Sequence, residues 1–229
     1  MDDLLRALRT IKKGCHIMKT FVACILYADD VCLLAPSRSA LQQLLNICNE
    51  YAENFCIKYN ERKSKLMYFG VDHKSFHSSP IFLNGVALEF VSEWKYLGVI
   101  LISGKTFSCS AKKARIAFYR SANSILRAVR GPSEVVQMKL LYSICVPNLT
   151  YACEVTDFNY KDKDTLSVAL NDAIRRIFSY NRWESIRVLR ASMGYDSVTE
   201  IFAKRKKSFE QNIPRIGNDL LSLLSKLPH

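Results

Sequence analysis

Two carboxylates stand side by side in Tyr27-Ala28-Asp29-Asp30, between the apolar runs 21–26 and 31–34. Strands on either side make this a hairpin bend, and adjacent anions at a bend repel each other and resist burial. A divalent cation removes that repulsion. Mg²⁺, or Mn²⁺ in its place, takes oxygen ligands and is held by one or two carboxylates together with substrate phosphates. A solvated hairpin tip is the other reading of these four residues, because Asp is a common turn residue. Phosphoryl transfer with two ions asks for more than this pair. Both metals need ligands, and a further carboxylate from another strand normally bridges them. Asp2 and Asp3, on a helix end, and Asp72, in a loop, do not provide it.

Other candidate chemistry is cationic. Asn60-Glu61-Arg62-Lys63-Ser64-Lys65 gathers three cations in a turn beside a strand. A lysine held there can neutralise or protonate a leaving pyrophosphate, although such a turn standing alone reads as solvated. Residues 107–130 have helical periodicity, with Ala114, Phe118, Ala122, Ile125 and Val129 on one face. Lys113, Arg120 and Arg127 form a stripe on another face, with Lys112, Arg115 and Arg130 beside it. A row of cations suits a nucleic-acid backbone; the bland alternative is an ordinary wet helix face. His73 and His77 have a metal-sharing spacing but sit among Ser and Pro, which read as loop. Lys204-Arg205-Lys206-Lys207 suits a phosphate patch or a nuclear address, and equally a solvated helix end.

These groups need elements to hold them. Leu4, Leu5, Leu8 and Ile11 recur at helical spacing and Gly14 closes that helix. The hairpin occupies 20–35. Pro36-Ser37 opens a helix whose apolar face is Leu41, Leu44, Leu45, Cys48, Tyr51, Ala52 and Phe55. Strands are expected at 57–59, 65–69 and 94–101, with a hairpin about Asn84-Gly85. From 107 onward the pattern turns helical, over 107–130, 134–145, 162–179, 183–192, 197–211 and 216–226. Strands followed by helices define an α+β layout with a boundary near Gly104.

The chain has 229 residues, with 33 Lys and Arg against 21 Asp and Glu, a net charge of +12. The excess is uneven, since residues 107–229 carry +9 of it. A positive field of this kind favours a polyanion, with anionic membrane the weaker alternative. Eight cysteines contain no Cys-x-x-Cys pair and fall mostly in apolar runs, so they read as reduced thiols at an intracellular address. No apolar run is long enough to span a bilayer, and a signal-peptide layout is not seen.

In their order these segments resemble the reverse transcriptases of non-LTR (LINE-type) retrotransposons, of the jockey-like branch. Residues 21–30 look like that family's catalytic hairpin, and 31–39 are similar to its continuation. Asn60, Lys63 and Ser64, with Met67-Tyr68-Phe69-Gly70, look like the next palm motif. Trp94 and Lys95-Tyr96-Leu97-Gly98-Val99 resemble the primer grip. Pro147, Leu149, Tyr151, Cys153, Glu154 and Val155 resemble the stretch past the thumb, with Thr156 where a Trp is usual. Ala173-Ile174-Arg175-Arg176-Ile177 and Arg182-Trp183-Glu184-Ser185 are similar to the C-terminal region.

The resemblance implies an incomplete palm over 1–104, made of antiparallel strands and one packing helix, then an all-helical thumb and C-terminal region over 105–229. It implies Asp29 and Asp30 as metal ligands, Lys63 on the leaving group, and Trp94, Lys95, Tyr96, Leu97 and Gly98 at the primer end. Lys112, Lys113, Arg115, Arg120, Arg127 and Arg130 would track the template–primer duplex. The implied partners are an RNA template, a DNA primer and dNTPs, in the nucleus and cytoplasm and away from membrane. In that family the fingers, the first catalytic aspartate and the nucleotide-selecting motif precede the hairpin, whereas this sequence starts just after them. The expectation is a polymerase portion that does not polymerise alone; a non-catalytic nucleic-acid-binding remnant is the competing expectation.

Overall fold

Leu4 and Leu8, one helical turn apart, are fully buried on helix α1 (Asp2–Thr10). Asp2 and Asp3 in its first turn and Arg9 in its last complement the helix dipole. In this computed structural model, which describes residues 2–71, 79–128 and 133–224, the chain divides into two compact units. The first comprises residues 1–92 and 103–106, the second 93–102 and 107–229.

In the first unit, four short strands follow α1: β1 (His16–Ile17), β2 (Thr20–Phe21), β3 (Cys24–Tyr27) and β4 (Asp30–Leu33). They pair as two antiparallel hairpins, β1 with β2 and β3 with β4. Helix α2 (Arg38–Asn54) is capped by Ser37, whose side-chain oxygen accepts the Ala40 N–H at 3.2 Å. Leu44 and Cys48 of α2 close a core with Leu4, Leu8 and Ala23. The flank carrying Leu45 builds a second core with Leu66, Ile81, Leu83 and Leu88. These come from β5 (Lys65–Leu66), β6 (Phe82–Leu83), β7 (Val86–Ala87), β8 (Glu89–Phe90) and the residues between. Asn84 and Gly85 both take positive φ, 49° and 73°, and make the expected two-residue hairpin. Gly14 is required by close approach, since a Cβ there would lie 1.8 Å from that of Ala23.

In the second unit, β9 (Glu93–Tyr96), β10 (Val99–Ile102) and β11 (Ser108–Ser110) form one antiparallel sheet, ordered β11-β10-β9. Helices α3 (Lys112–Ala128), α4 (Glu134–Leu140), α5 (Val146–Leu149), α6 (Tyr160–Ile177), α7 (Arg187–Ser192), α8 (Val198–Asn212) and α9 (Asp219–Leu224) follow. A π-helical turn (Leu141–Cys145) joins α4 to α5 just before Pro147, which has no amide to donate to the turn behind it. Phe118, Met138, Leu141, Leu149, Leu166, Leu170, Ile174 and Val198 are fully buried in its core.

The α+β class, strands first and helices after, agrees with the sequence pattern. Several elements differ. Residues 57–59 form no strand, because the Ile57 N–H turns back to the Ala52 carbonyl at 2.8 Å and finishes α2 instead. The continuous strand expected over 94–101 is a hairpin, folded at Leu97-Gly98. The helix expected from 107 starts at Lys112, because Ser108–Ser110 pairs with β10 and buries Cys109.

Burial pushes the Cys48 thiol up to about 12, with Cys24 adding to it, and pushes its hydrogen-bond partner Tyr59 to about 12 as well. Their ordinary values are 9.0 and 10.0, so both ionise first in the unfolded chain. The stability this neutral pair contributes is complete below pH 9.0 and is lost as pH rises towards about 12. Denaturant melts of the first unit should therefore weaken steadily across that window. Cys48→Ala should shallow the decline, and an unchanged slope in that variant would contradict this account.

Candidate functional site

The β3–β4 hairpin turns through two residues, with Tyr27 paired to Asp30 across the ladder. Ala28 adopts φ 52°, a left-handed conformation that costs an alanine about 1–2 kcal/mol. Strain of this kind persists only where the surroundings impose it, and here the base of the hairpin is fixed. The Leu34 N–H donates to the Ala23 carbonyl at 2.7 Å, and the Cys15 N–H to the Leu34 carbonyl at 3.1 Å. Ala23, Cys24 and Leu33 pack on Leu4, Leu8 and Leu44. Side chains on the opposite face stay open, with Ile25 43% and Tyr27 63% exposed. Asp30 shares that face, and Asp29 is exposed at the bend.

Neither carboxylate has a hydrogen-bond or ion-pair partner among the described residues. Two uncompensated oxygen donors on adjacent residues, open to solvent, fit one divalent ion that substrate phosphates would help to hold. Among the described residues no three His, Cys, Asp or Glu side chains converge, so a second ion needs ligands from elsewhere. His73 and His77 lie outside the described residues.

Lys63 sits exposed in the turn 60–64, where its N–H donates to the Asn60 side chain at 3.0 Å. Among the described residues nothing bonds it to Asp29 or Asp30.

In the second unit the primer-grip-like residues occupy the β9–β10 hairpin. Trp94, Lys95 and Tyr96 lie on β9, and Leu97 and Gly98 form the tip with φ 45° and 86°. Tyr151 holds that tip. Its hydroxyl donates to the Leu97 carbonyl at 2.9 Å, and a Cβ on Gly98 would come within 2.8 Å of its Cε1. Composition and spacing gave no reason to bring Tyr151 to residues 97–98; only the fold does.

The neighbouring Lys95 of β9 lowers the Lys113 ammonium of α3 from its ordinary value. Lys113, Arg120 and Arg127 recur every seven residues, opposite the face that buries Phe118 and Ala122. Lys112, Arg115, Arg120 and Arg127 are exposed, and none of the five cations has a carboxylate partner among the described residues. Arg130 lies outside the described residues. The 204–207 run is different. Lys204 is paired with Asp196 at 2.6 Å, while Arg205 binds Glu154 at 2.6 Å and the Thr150 side chain at 2.7 Å. These two cations tie α8 to its surroundings, and this weakens the case for a free patch. No helix among the described residues is long and apolar enough to cross a membrane.

The first unit thus carries a strained, solvent-facing acidic hairpin, and the second a cationic helix without acidic residues. Residues 1–101 match the family described as reverse transcriptase (RNA-dependent DNA polymerase). The chain is 24% identical over 199 residues to the "Probable RNA-directed DNA polymerase from transposon BS" of Drosophila melanogaster, across 82% of this chain and 22% of that protein. It is 30% identical over 139 residues to the "RNA-directed DNA polymerase from mobile element jockey" of Drosophila funebris, across 56% of this chain and 15% of that one. Over these spans the sequence is similar to the reverse transcriptases of non-LTR retrotransposons, and the match spans less than a quarter of either relative's length.

Proposed function

We propose that the chain contributes the metal-holding hairpin, the primer-end hairpin and the duplex-tracking helices of an RNA-directed DNA polymerase. The observation that carries this reading is the strained bend at Ala28, which presents Asp29 and Asp30 to solvent from a base anchored in core. Asp29 and Asp30 would hold Mg²⁺ or Mn²⁺; when bound, the ion neutralises charge that develops on the reacting phosphate and hydroxyl oxygens. Lys63 would offset the charge of the departing pyrophosphate. Residues 94–98, with Tyr151 behind the tip, would hold the primer end, and the α3 stripe would follow the template–primer backbone. RNA template, DNA primer and dNTPs are the partners, at an intracellular site.

On this reading two carboxylates are too few for two ions, and the chain by itself should extend no primer on primed poly(rA) with dTTP and Mg²⁺ or Mn²⁺. Mn²⁺ added with primer–template and dNTP should broaden the NMR signals of residues 27–31 selectively. Asp29→Asn with Asp30→Asn should abolish that broadening while leaving duplex affinity equal or slightly higher. Broadening elsewhere, or none, would remove the hairpin from the site. The competing reading, a non-catalytic nucleic-acid binder, rests on the same shortage of converging acids among the described residues. It predicts unchanged duplex binding and no metal effect at the hairpin.

A further inference from the structure

Trp183 is 84% exposed, although tryptophan carries the largest apolar surface of any side chain. The turn that displays it is firmly closed. The Asn181 N–H donates to the Glu184 carboxylate at 2.6 Å, and the Glu184 N–H returns to the Asn181 carbonyl at 3.1 Å. Arg175, itself paired with Asp172 at 3.1 Å, donates its Nε–H to the Glu184 carbonyl at 3.1 Å. Two residues further on, Ile186 is buried in the core. The indole is therefore held outward by its backbone.

Its surroundings indicate what covers it. Arg182 and Arg187 are exposed and have no carboxylate partner among the described residues. Glu184, the one acid between residues 173 and 195, spends its carboxylate on the Asn181 amide. Tyr160 offers a contrast, being 86% exposed but with Asp157, Asp162 and Asp164 within four residues. An open indole with exposed arginines one residue before it and four after it suits a base that stacks and phosphates that pair nearby. In a duplex the faces of the bases are already stacked on one another. Unpaired nucleotides, whose faces are open, are the ligands this site suits.

We propose that Trp183, Arg182 and Arg187 form a binding site for single-stranded nucleic acid, separate from the duplex-tracking stripe on α3. The other tryptophan, Trp94, lies in the hairpin proposed to hold a primer end, so the fluorescence titrations use a Trp94→Phe background in which Trp183 is the sole indole. The full chain is titrated with short unstructured RNA and DNA oligonucleotides of one sequence, and in parallel with a long duplex without loops, whose ends are few beside its interior. Both single strands should quench the indole. Trp183→Ala should weaken single-strand binding about 5- to 100-fold, Trp183→Phe less, and Arg182→Gln with Arg187→Gln should reduce its salt dependence. Duplex affinity should be unchanged in all three, so that failure here is distinguishable from failure of the α3 stripe. The proposal is overturned if Trp183→Ala binds single strands normally or loses both ligands equally. It is also overturned if the indole becomes shielded from acrylamide as protein concentration rises without nucleic acid, which would mean a protein contact.

Discussion

Changing Lys113, Arg120 and Arg127 together to glutamine is expected to flatten the salt dependence of duplex binding more than any other surface change in this chain. Each phosphate neutralised contributes about −0.9 to the slope of log K against log salt, so losing three contacts flattens it by about 2.7. Between about 50 and 200 mM salt the native advantage over the variant should then shrink about forty-fold. Three facts support contacts of this strength. The residues recur along the exposed side of one helix, carboxylate partners are missing among the described residues, and Lys113 is already crowded by Lys95. Filter binding of a blunt duplex at several salt concentrations measures the slope. An unchanged slope would show that the stripe is only a wet helix face.

The parts of this site that could be read in the sequence are those whose local chemistry admits one arrangement. Asp29-Asp30 between two apolar runs demanded a bend, and the bend is there. Asn84-Gly85 demanded a two-residue turn because Asn and Gly both tolerate positive φ, and both adopt it. Leu97-Gly98 makes the same kind of turn, yet a leucine at φ 45° is uncommon enough that 94–101 reads as one apolar strand. Residues 108–110 escaped for a different reason. Three residues carry no period, and only the ladder to Ile100, Leu101 and Ile102 makes them a strand. The same limit hid the β1–β2 hairpin, whose two-residue strands lie within reach of local noise.

Long periodic helices were far easier to read. α2, α3, α6 and α8 all lie within a few residues of where their apolar spacing put them. Charge was less informative than periodicity. The run 204–207 and the stripe on α3 have similar compositions, and only the fold separates them. Asp196 and Glu154 come to Lys204 and Arg205 from elsewhere in the chain, whereas nothing among the described residues comes to Arg120 or Arg127. A cation's partner is a tertiary fact, so free and committed cations cannot be told apart from sequence.

Gly98→Ala should be the most damaging single exchange at the primer-end hairpin, and its cost should separate into two parts. At φ 86° the new Cβ imposes about 1–2 kcal/mol of backbone strain wherever its neighbours lie. The same Cβ would sit 2.8 Å from Tyr151 Cε1 and 3.1 Å from its hydroxyl oxygen. Tyr151 is half open to solvent and can swing away, but only by releasing the Leu97 carbonyl, a hydrogen bond worth about 0.5–1.5 kcal/mol. Urea unfolding of the second unit should therefore show a loss of about 1.5–3.5 kcal/mol. In a Tyr151→Ala background the exchange should cost only the backbone part, giving a coupling of about 1 kcal/mol between residues 98 and 151. If the two costs simply add, the ring does not hold the tip, and Tyr151 has no part in positioning residues 97–98. If they couple, the hairpin proposed to hold a primer end owes its position to a side chain more than fifty residues away, and Tyr151→Phe should loosen the tip without the steric change.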